Sequence, residues 1–433
     1  MTTIRYAVCD LNGQARGKRT HSADAKKLAS GAARLPLTVL GLDLWGEDIE
    51  DSPLLFDAGD ADGTLLPTDR GAVAMPWLAT PSQLHPMWTF NEDGTPFDGD
   101  PRHALDRVLR RYRDKGWQVI AATELEFYLC DATGDMPAPP RDPVTGKAQS
   151  RSEITSLRVL DSFDSFFSDL YDACEVMGIP AQTSISEGGV GQFEVNLTHQ
   201  DAMRAADDAW LFKHMAKGLA RKHGHIASFM AKPYADDAGN GLHVHFSVVD
   251  ASGTNIFDDG GSGGTAILKH AVAGGLQAMK ASTLIFAPHA NSYTRLVKGS
   301  HAPTAICWGY ENRTASIRIP GGPPQARRIE HRVAGGDTNP YLMLAAILGA
   351  AMNGIEDAAA PPTAIKGNAY AQDLPQLAGD WASAIDLFAA SKDVARIFTP
   401  LLIDNLTRTK RQELRKYAPL SPEDQMKLSL ETV

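Results

Sequence analysis

Along this chain the spacing of apolar and polar positions changes several times, and each change marks a different element. In the first hundred residues, IRYAVCDLNG (4–13) alternates and ends in a turn, and PLTVLGLDLW (36–45) is strand-like. Asp, Gly and Pro are frequent between such runs, so residues 1–100 read as a small β-rich unit. The spacing becomes helical at PFDGDPRHALDRVLRRYRDKGW (96–117). Pro101 suits a first helical turn, and Ala104, Leu105, Val108, Leu109 and Tyr112 form one apolar stripe. A domain boundary is therefore expected near residue 100, dividing the chain into 1–100 and 101–433.

Beyond that boundary strands and helices mix. QVIAATELEFYL reads as a strand, SFDSFFSDLYDACEVMG as a helix, and AQTSISEGGVGQFEVNL as two strands around a Gly-rich turn. DAMRAADDAWLFKHMAKGLARKHG is a long helix, GNGLHVHFSVVD a strand, and the end of the chain is largely helical. Residues 136–150 form a Pro-rich loop and 258–265 a flexible one. YLMLAAILGAAM (341–352) is too short to span a bilayer and reads as a buried helix.

Composition narrows function more than fold. The 433 residues carry a formal net charge of -10, which argues against wholesale binding to nucleic acid or anionic membrane. Four widely spaced cysteines without a CxxC pair, and a start (MTTIRYAVCD) without a secretory pattern, lead us to expect a cytoplasmic protein with reduced thiols.

Against that acidic background, charged residues recur on predicted strands in a way that suggests metal chemistry. Glu124 and Glu126 are two apart, so both carboxylates face one side of a strand while Leu125, Phe127 and Leu129 face the other. Adjacent carboxylates repel unless protonated or bridged by a cation. Glu187 and Glu194 flank the Gly-rich turn, His243 and His245 share a strand face, and Glu330 lies between Arg328 and Arg332. Each feature alone is as well explained by a solvated charge run or a satisfied core histidine. Four such strands in one domain instead suggest a site for Mg²⁺ or Mn²⁺, and more than three carboxylates suggest two ions. With Arg295, Arg313, Arg318, Arg328 and Arg332 nearby in type, this is equipment for phosphoryl transfer. No GxxxxGK[ST] run is present, which excludes a P-loop.

Seven ordered blocks carry a resemblance: DLNGQARGK (10–18), ELEF (124–127), EGGVGQFE (187–194), GNGLHVHFS (239–247), NSYTRL (291–296), ENRTASIRIP (311–320) and RRIEHR with NPYL (339–342). Through them the sequence resembles the glutamine synthetase family over nearly its whole length. The resemblance implies an α+β protein: an N-terminal β-grasp domain (1–100) followed by a glutamine synthetase-type α/β catalytic domain (101–433). It also implies a homo-oligomeric ring, commonly a dodecamer of two stacked hexameric rings, with active sites between neighbouring subunits. Carried over residue by residue, it assigns one ion to Glu126, Glu187 and Glu194, and a second to Glu124, His243 and Glu330. His245, Ser247, Arg318 and Arg328 become ATP contacts. Arg295 and Arg332 become ligands of the glutamate α-carboxylate, Gly239 part of the loop lining that pocket, and Arg313 the neutraliser of the transferred phosphoryl group. The implied chemistry is two-step: the glutamate γ-carboxylate attacks ATP, and an amine displaces phosphate from the resulting γ-glutamyl phosphate.

One departure bears on substrate. Ammonia-using members of the family carry a glutamate on the loop after NSY-R-L, where this chain has His301 in KGSHAP. An imidazole attracts a small ammonium ion poorly but still takes a proton from a primary ammonium group. That points to the branch joining glutamate to organic amines, such as the γ-glutamylpolyamine and γ-glutamylputrescine synthetases. An ammonia-using glutamine synthetase is the alternative, and a non-catalytic family member a weaker one. Asp43 in GLDLWGE is the nearest candidate for the aspartate that a neighbouring subunit contributes to the amine site.

Overall fold

The structure, a computed structural model, describes residues 3–433, apart from the side chain of Glu431. Two sheets organise it. The first runs in the order Ala15–His21, Thr3–Cys9, Ser82–Phe90, Asp62–Pro67, Ala33–Pro36, with Val73–Ala74 also paired to Ser82–Phe90. Thr3–Cys9 runs parallel to Ser82–Phe90 and antiparallel to Ala15–His21, a mixed sheet consistent with the β-grasp expectation. Ile4, Tyr6, Val8, Leu35, Leu65 and Met87 bury one face of it.

One expected strand is absent from this unit. Pro36 ends its strand because it lacks an N–H for the ladder, and Leu37–Gly41 turns into a 3-10 helix. That turn packs against the late helix Pro400–Tyr417, whose Thr409 hydroxyl donates to the Gly41 carbonyl at 2.9 Å. Apolar alternation in PLTVLGLDLW thus reflects packing on a helix rather than a pleat.

The second sheet is larger. Its order is Trp308–Tyr310, Ile317–Ile319, Ile329–His331, Leu242–Val249, Gln118–Asp131, Gln192–Asp201, Ala181–Ser186, with His225–Ser228 on the end of Gln118–Asp131. Helices cover one face. Pro101–Arg113 starts at Asp100, whose carboxylate accepts the Arg102 N–H, and its predicted stripe is buried. Ala202–Lys222 and Pro340–Glu356 supply the rest of that layer, and Pro340–Glu356 is buried almost throughout. It approaches Ala266–Met279 so closely that a Cβ on Gly274 would sit 2.1 Å from the Ala350 carbonyl oxygen. Around Phe127, the rings of Phe166, Phe193, Phe212 and Phe229 close the core under the sheet. Among the described residues, no helix is long and apolar enough to cross a membrane. All four cysteines are buried and free.

Candidate active site

Strand register brings the charged residues together. Gln118–Asp131 is central, so Leu125, Phe127 and Leu129 pack into the helix layer while Glu124 and Glu126 emerge on the open face. Antiparallel pairing places His243 opposite Glu124 and Glu194 opposite Glu126. On the next strand Glu330 pairs with His245 and Arg318 with Glu330. Slipping any strand by one residue would send these groups into the hydrophobic layer.

Glu124 takes His243 Nδ1 at 3.1 Å and His245 Nε2 at 2.9 Å. Donor atoms of Glu124, His243 and Glu330 all lie within 4.8 Å of one another, and so do those of Glu126, Glu194 and His243. Charge is unevenly balanced across this cluster. Burial acts to raise the Glu124 carboxyl, but hydrogen bonds from the two imidazoles hold it well below the usual carboxylate range. Glu330 is likewise buried yet held low, by Arg332, by both imidazoles and by Arg318 Nη1 at 2.9 Å. Glu194 has no such counter-charge: burial and the neighbouring Glu124, Glu126 and Glu187 push it up to about 9. Burial and Glu126 push Glu187 up to about 7. The cluster therefore carries more carboxylate than its own cations neutralise, and its oxygen-rich donors with one imidazole suit a hard divalent ion.

Glu187 stands apart from the tight group. It feels Glu126 and Glu124 as like charges and Arg313 as an opposing one, which places the exposed Arg313 turn beside it.

The arginine pocket lies along the same edge. Arg295 is buried and donates to the Val333 carbonyl at 2.8 Å, with Glu126 and Asp337 as the nearby negative charges. Its stem lies against Gly239, where a Cβ would come within 2.7 Å of Arg295 Cγ and 2.8 Å of the Ala231 carbonyl oxygen. A Cβ on Gly241 would meet His243 Nε2 at 3.0 Å and Arg295 Nη2 at 3.1 Å. These glycines let the loop pass between metal-type ligands and guanidinium. Arg332, just beyond the strand Ile329–His331, donates to Glu330.

On the other side of Glu124 a cleft of about 540 Å³ opens, lined by Thr123, Asn196, His245, Ser247 and Arg328 among others. Arg328 Nε donates to His245 Nδ1 at 3.2 Å, so the imidazole joins the cleft to Glu124. Carboxylates, imidazoles and guanidiniums thus sit between an arginine pocket and a cleft large enough for a nucleotide.

Residues 98–427 match the glutamine synthetase catalytic domain. The chain belongs to the glutamine synthetase family. Among curated relatives, it is 36% identical over 376 residues to gamma-glutamylputrescine synthetase PuuA of Escherichia coli (strain K12), covering 86% of this chain and 79% of that protein. It is 32% identical over 428 residues to glutamate–isopropylamine ligase of a Pseudomonas sp, covering 96% and 92%. A solved GmaS/ADP complex superposes with a TM-score of 0.85 at 28% identity, covering 98% of this chain and 95% of that one. The protein is an ATP-dependent ligase of the glutamine synthetase type, of the glutamate–amine or glutamate–ammonia kind.

Within this glutamine synthetase site, two expected residues stand outside the cluster. His301 is exposed at the tip of the loop after Arg295, with φ at 64°, a left-handed conformation that non-glycine residues rarely adopt. Asp43 is fully buried. One carboxylate oxygen accepts the N–H groups of Trp45 and Glu47, and the other accepts Gln412 Nε2 at 2.9 Å and Lys416 Nζ at 2.6 Å. Four donors fill its acceptor sites and tie it to the Pro400–Tyr417 helix.

Three residues unremarked in the sequence tie the glutamine synthetase site together. The buried Gln192 donates to Glu126 Oε2 at 3.3 Å, to the Gly239 carbonyl and to Asn240 Oδ1 at 3.0 Å each, and accepts the Gly189 N–H. Asp237 accepts the N–H groups of Val190 and Ala238, clipping the Gly-rich turn to the Gly239 loop. Asn240 donates to the Met230 carbonyl at 2.8 Å. Gln192 lay inside EGGVGQFE, but an amide carries no signal in a search for charge.

Proposed function

We propose that this ligase joins the γ-carboxylate of glutamate to an organic amine or polyamine such as putrescine, through γ-glutamyl phosphate. The observation that carries this reading is His301, an imidazole at the tip of the loop after Arg295 where ammonia-using relatives have a carboxylate. The similarity to ligases named for putrescine and isopropylamine supports it.

In this reading Arg295 and Arg332 bind the α-carboxylate of glutamate, and Gly239 leaves room for Arg295 behind it. His245, Ser247, Arg318 and Arg328 hold ATP in the cleft beside Glu124. Two divalent ions, Mg²⁺ or Mn²⁺, bound by Glu126, Glu187 and Glu194 and by Glu124, His243 and Glu330, would supply neutralisation of phosphate charge. The γ-carboxylate attacks the γ-phosphorus, releasing ADP, while Arg313 offsets charge on the transferred oxygens. The amine nitrogen then attacks the acyl carbon, phosphate leaves, and His301 takes the proton that the nitrogen sheds. A cytoplasmic ring oligomer, a dodecamer of two hexamers, belongs to the same reading.

The test is phosphate release from ATP and glutamate with Mg²⁺ across ammonia, methylamine, ethanolamine, putrescine, spermidine and aromatic amines. Turnover with one organic amine and little with ammonia is the expected result. Turnover chiefly with ammonia favours the second reading, a glutamine synthetase proper, which the solvent exposure of His301 would accommodate as a plain loop residue.

A further inference from the structure

The loop that carries His301 has a firm base and a loose tip. At its base, the Ile306 N–H donates to the Pro375 carbonyl, the Leu377 N–H to the Thr304 carbonyl, and Ala305 bridges to Gln376. Within 297–303 the bonds are local: Ser300 Oγ donates to the Arg295 and Val297 carbonyls, and Ser300 N–H to Val297. Among the described residues, one hydrogen bond reaches this stretch from elsewhere. The Tyr370 hydroxyl donates to the Ala302 carbonyl at 3.0 Å, one residue after His301.

Tyr370 is itself well placed. It sits in the short turn Ala369–Ala371, where the Asn368 side chain accepts its N–H. That turn is fastened to the Arg313 loop: Ala369 N–H donates to Thr314 Oγ1 at 2.9 Å and Asn312 Nδ2 to the Gly367 carbonyl at 2.8 Å. Burial raises the phenol's pKa while the charges of Arg295 and Arg332 oppose that rise. One half-buried phenol thus touches the His301 loop from a turn whose backbone is bound to the Arg313 loop, and it feels both guanidinium charges. A left-handed His301 stays in that conformation only where its neighbours hold it.

We infer that Tyr370 is a positioning residue that latches the His301 loop and so sets whether amine or water reaches the acyl phosphate. The inference rests on the amine-ligase reading. With the loop closed, an amine attacks γ-glutamyl phosphate to give γ-glutamyl amide and phosphate. With it open, water attacks the same carbon to give glutamate and phosphate, and ATP is spent without product.

The experiment is Tyr370→Phe in the full chain, which removes one hydroxyl and keeps the ring. With the best amine from the panel, KM for the amine should rise about fivefold, as for loss of one hydrogen bond, while KM for glutamate and ATP stay within about twofold. The ratio of amide formed to ADP formed should fall. Thr314→Val, which unfastens the Tyr370 turn, should move both quantities in the same direction by less. An unchanged amide-to-ADP ratio with an unchanged amine KM overturns the latch. So does a parallel rise of all three KM values with a lowered Tm, which marks general loosening. Absence of amide in the wild-type protein with every amine and with ammonia is a different result, and it overturns the functional reading instead.

Discussion

Divalent-ion binding should release protons, in a number that the site itself sets. Burial and three neighbouring carboxylates hold Glu194 at about 9, and burial with Glu126 holds Glu187 at about 7, both above the usual 4.5. An ion takes a carboxylate only after its proton leaves. At pH 7.5 Glu194 is nearly all protonated and Glu187 mostly ionised, so filling the cluster should expel about one proton, and at pH 6 about two. Each proton is worth about 1.4 kcal/mol per pH unit, so apparent affinity should climb about tenfold per unit near pH 8 and more steeply below pH 6.5. The sign for stability is the reverse of the common carboxylate case. These two groups stabilise the metal-free fold below pH 4.5, and that contribution is lost as pH rises through their folded values. Metal-free protein should therefore weaken toward pH 8.5, and added Mn²⁺ should restore more stability there than at pH 6. Titration calorimetry with Mn²⁺ in Pipes and in Tris counts the protons directly. Glu194→Gln should lower the count at pH 7.5 by about one. No proton release at pH 6 would mean that the carboxylates are already ionised, and the reasoning from crowded charge would fail.

Other expectations are simpler to test. Glu330→Ala should abolish glutamate-dependent ADP formation, because it strips a candidate ligand and leaves Arg318 and Arg332 facing a void; wild-type turnover would remove Glu330 from the site. His301→Glu should raise turnover with ammonia relative to amines, and an unchanged ratio in competition assays would end its role in selectivity. Gln192→Leu leaves the Gly239 carbonyl and Glu126 without their buried donor, a cost of about 1–3 kcal/mol. KM for glutamate should then rise about tenfold or more, whereas an unchanged KM would reduce Gln192 to packing.

Much of this was readable from alternation. ATELEFYL and GLHVHFSV announced two-faced strands, and the pairing of His243 with Glu124 confirms that both present their charged sides together. The Ala104–Tyr112 stripe likewise marked its helix, since one face of Pro101–Arg113 is buried. Periodicity did not give register. That Glu194 faces Glu126 is set by how Gln192–Asp201 pairs with Gln118–Asp131, which apolar spacing does not encode. Asp43 shows the same limit: nothing in its spacing revealed that donors some 370 residues later, Gln412 and Lys416, bond to its carboxylate. Tyr370 was invisible as a latch because its partner is a backbone carbonyl, which every residue has.

The central strand has a consequence for how this protein loses activity. Glu124 and His243, bonded to each other, are 119 residues apart in sequence, and between them alternate the side chains that fill the aromatic core around Phe127. Core and chemistry are the two sides of one ribbon. Neither side forms without the other, so a partly assembled sheet has no partly working site. Catalysis in this chain should then report on the integrity of that one sheet: on heating, turnover should be lost no later than the sheet's circular dichroism.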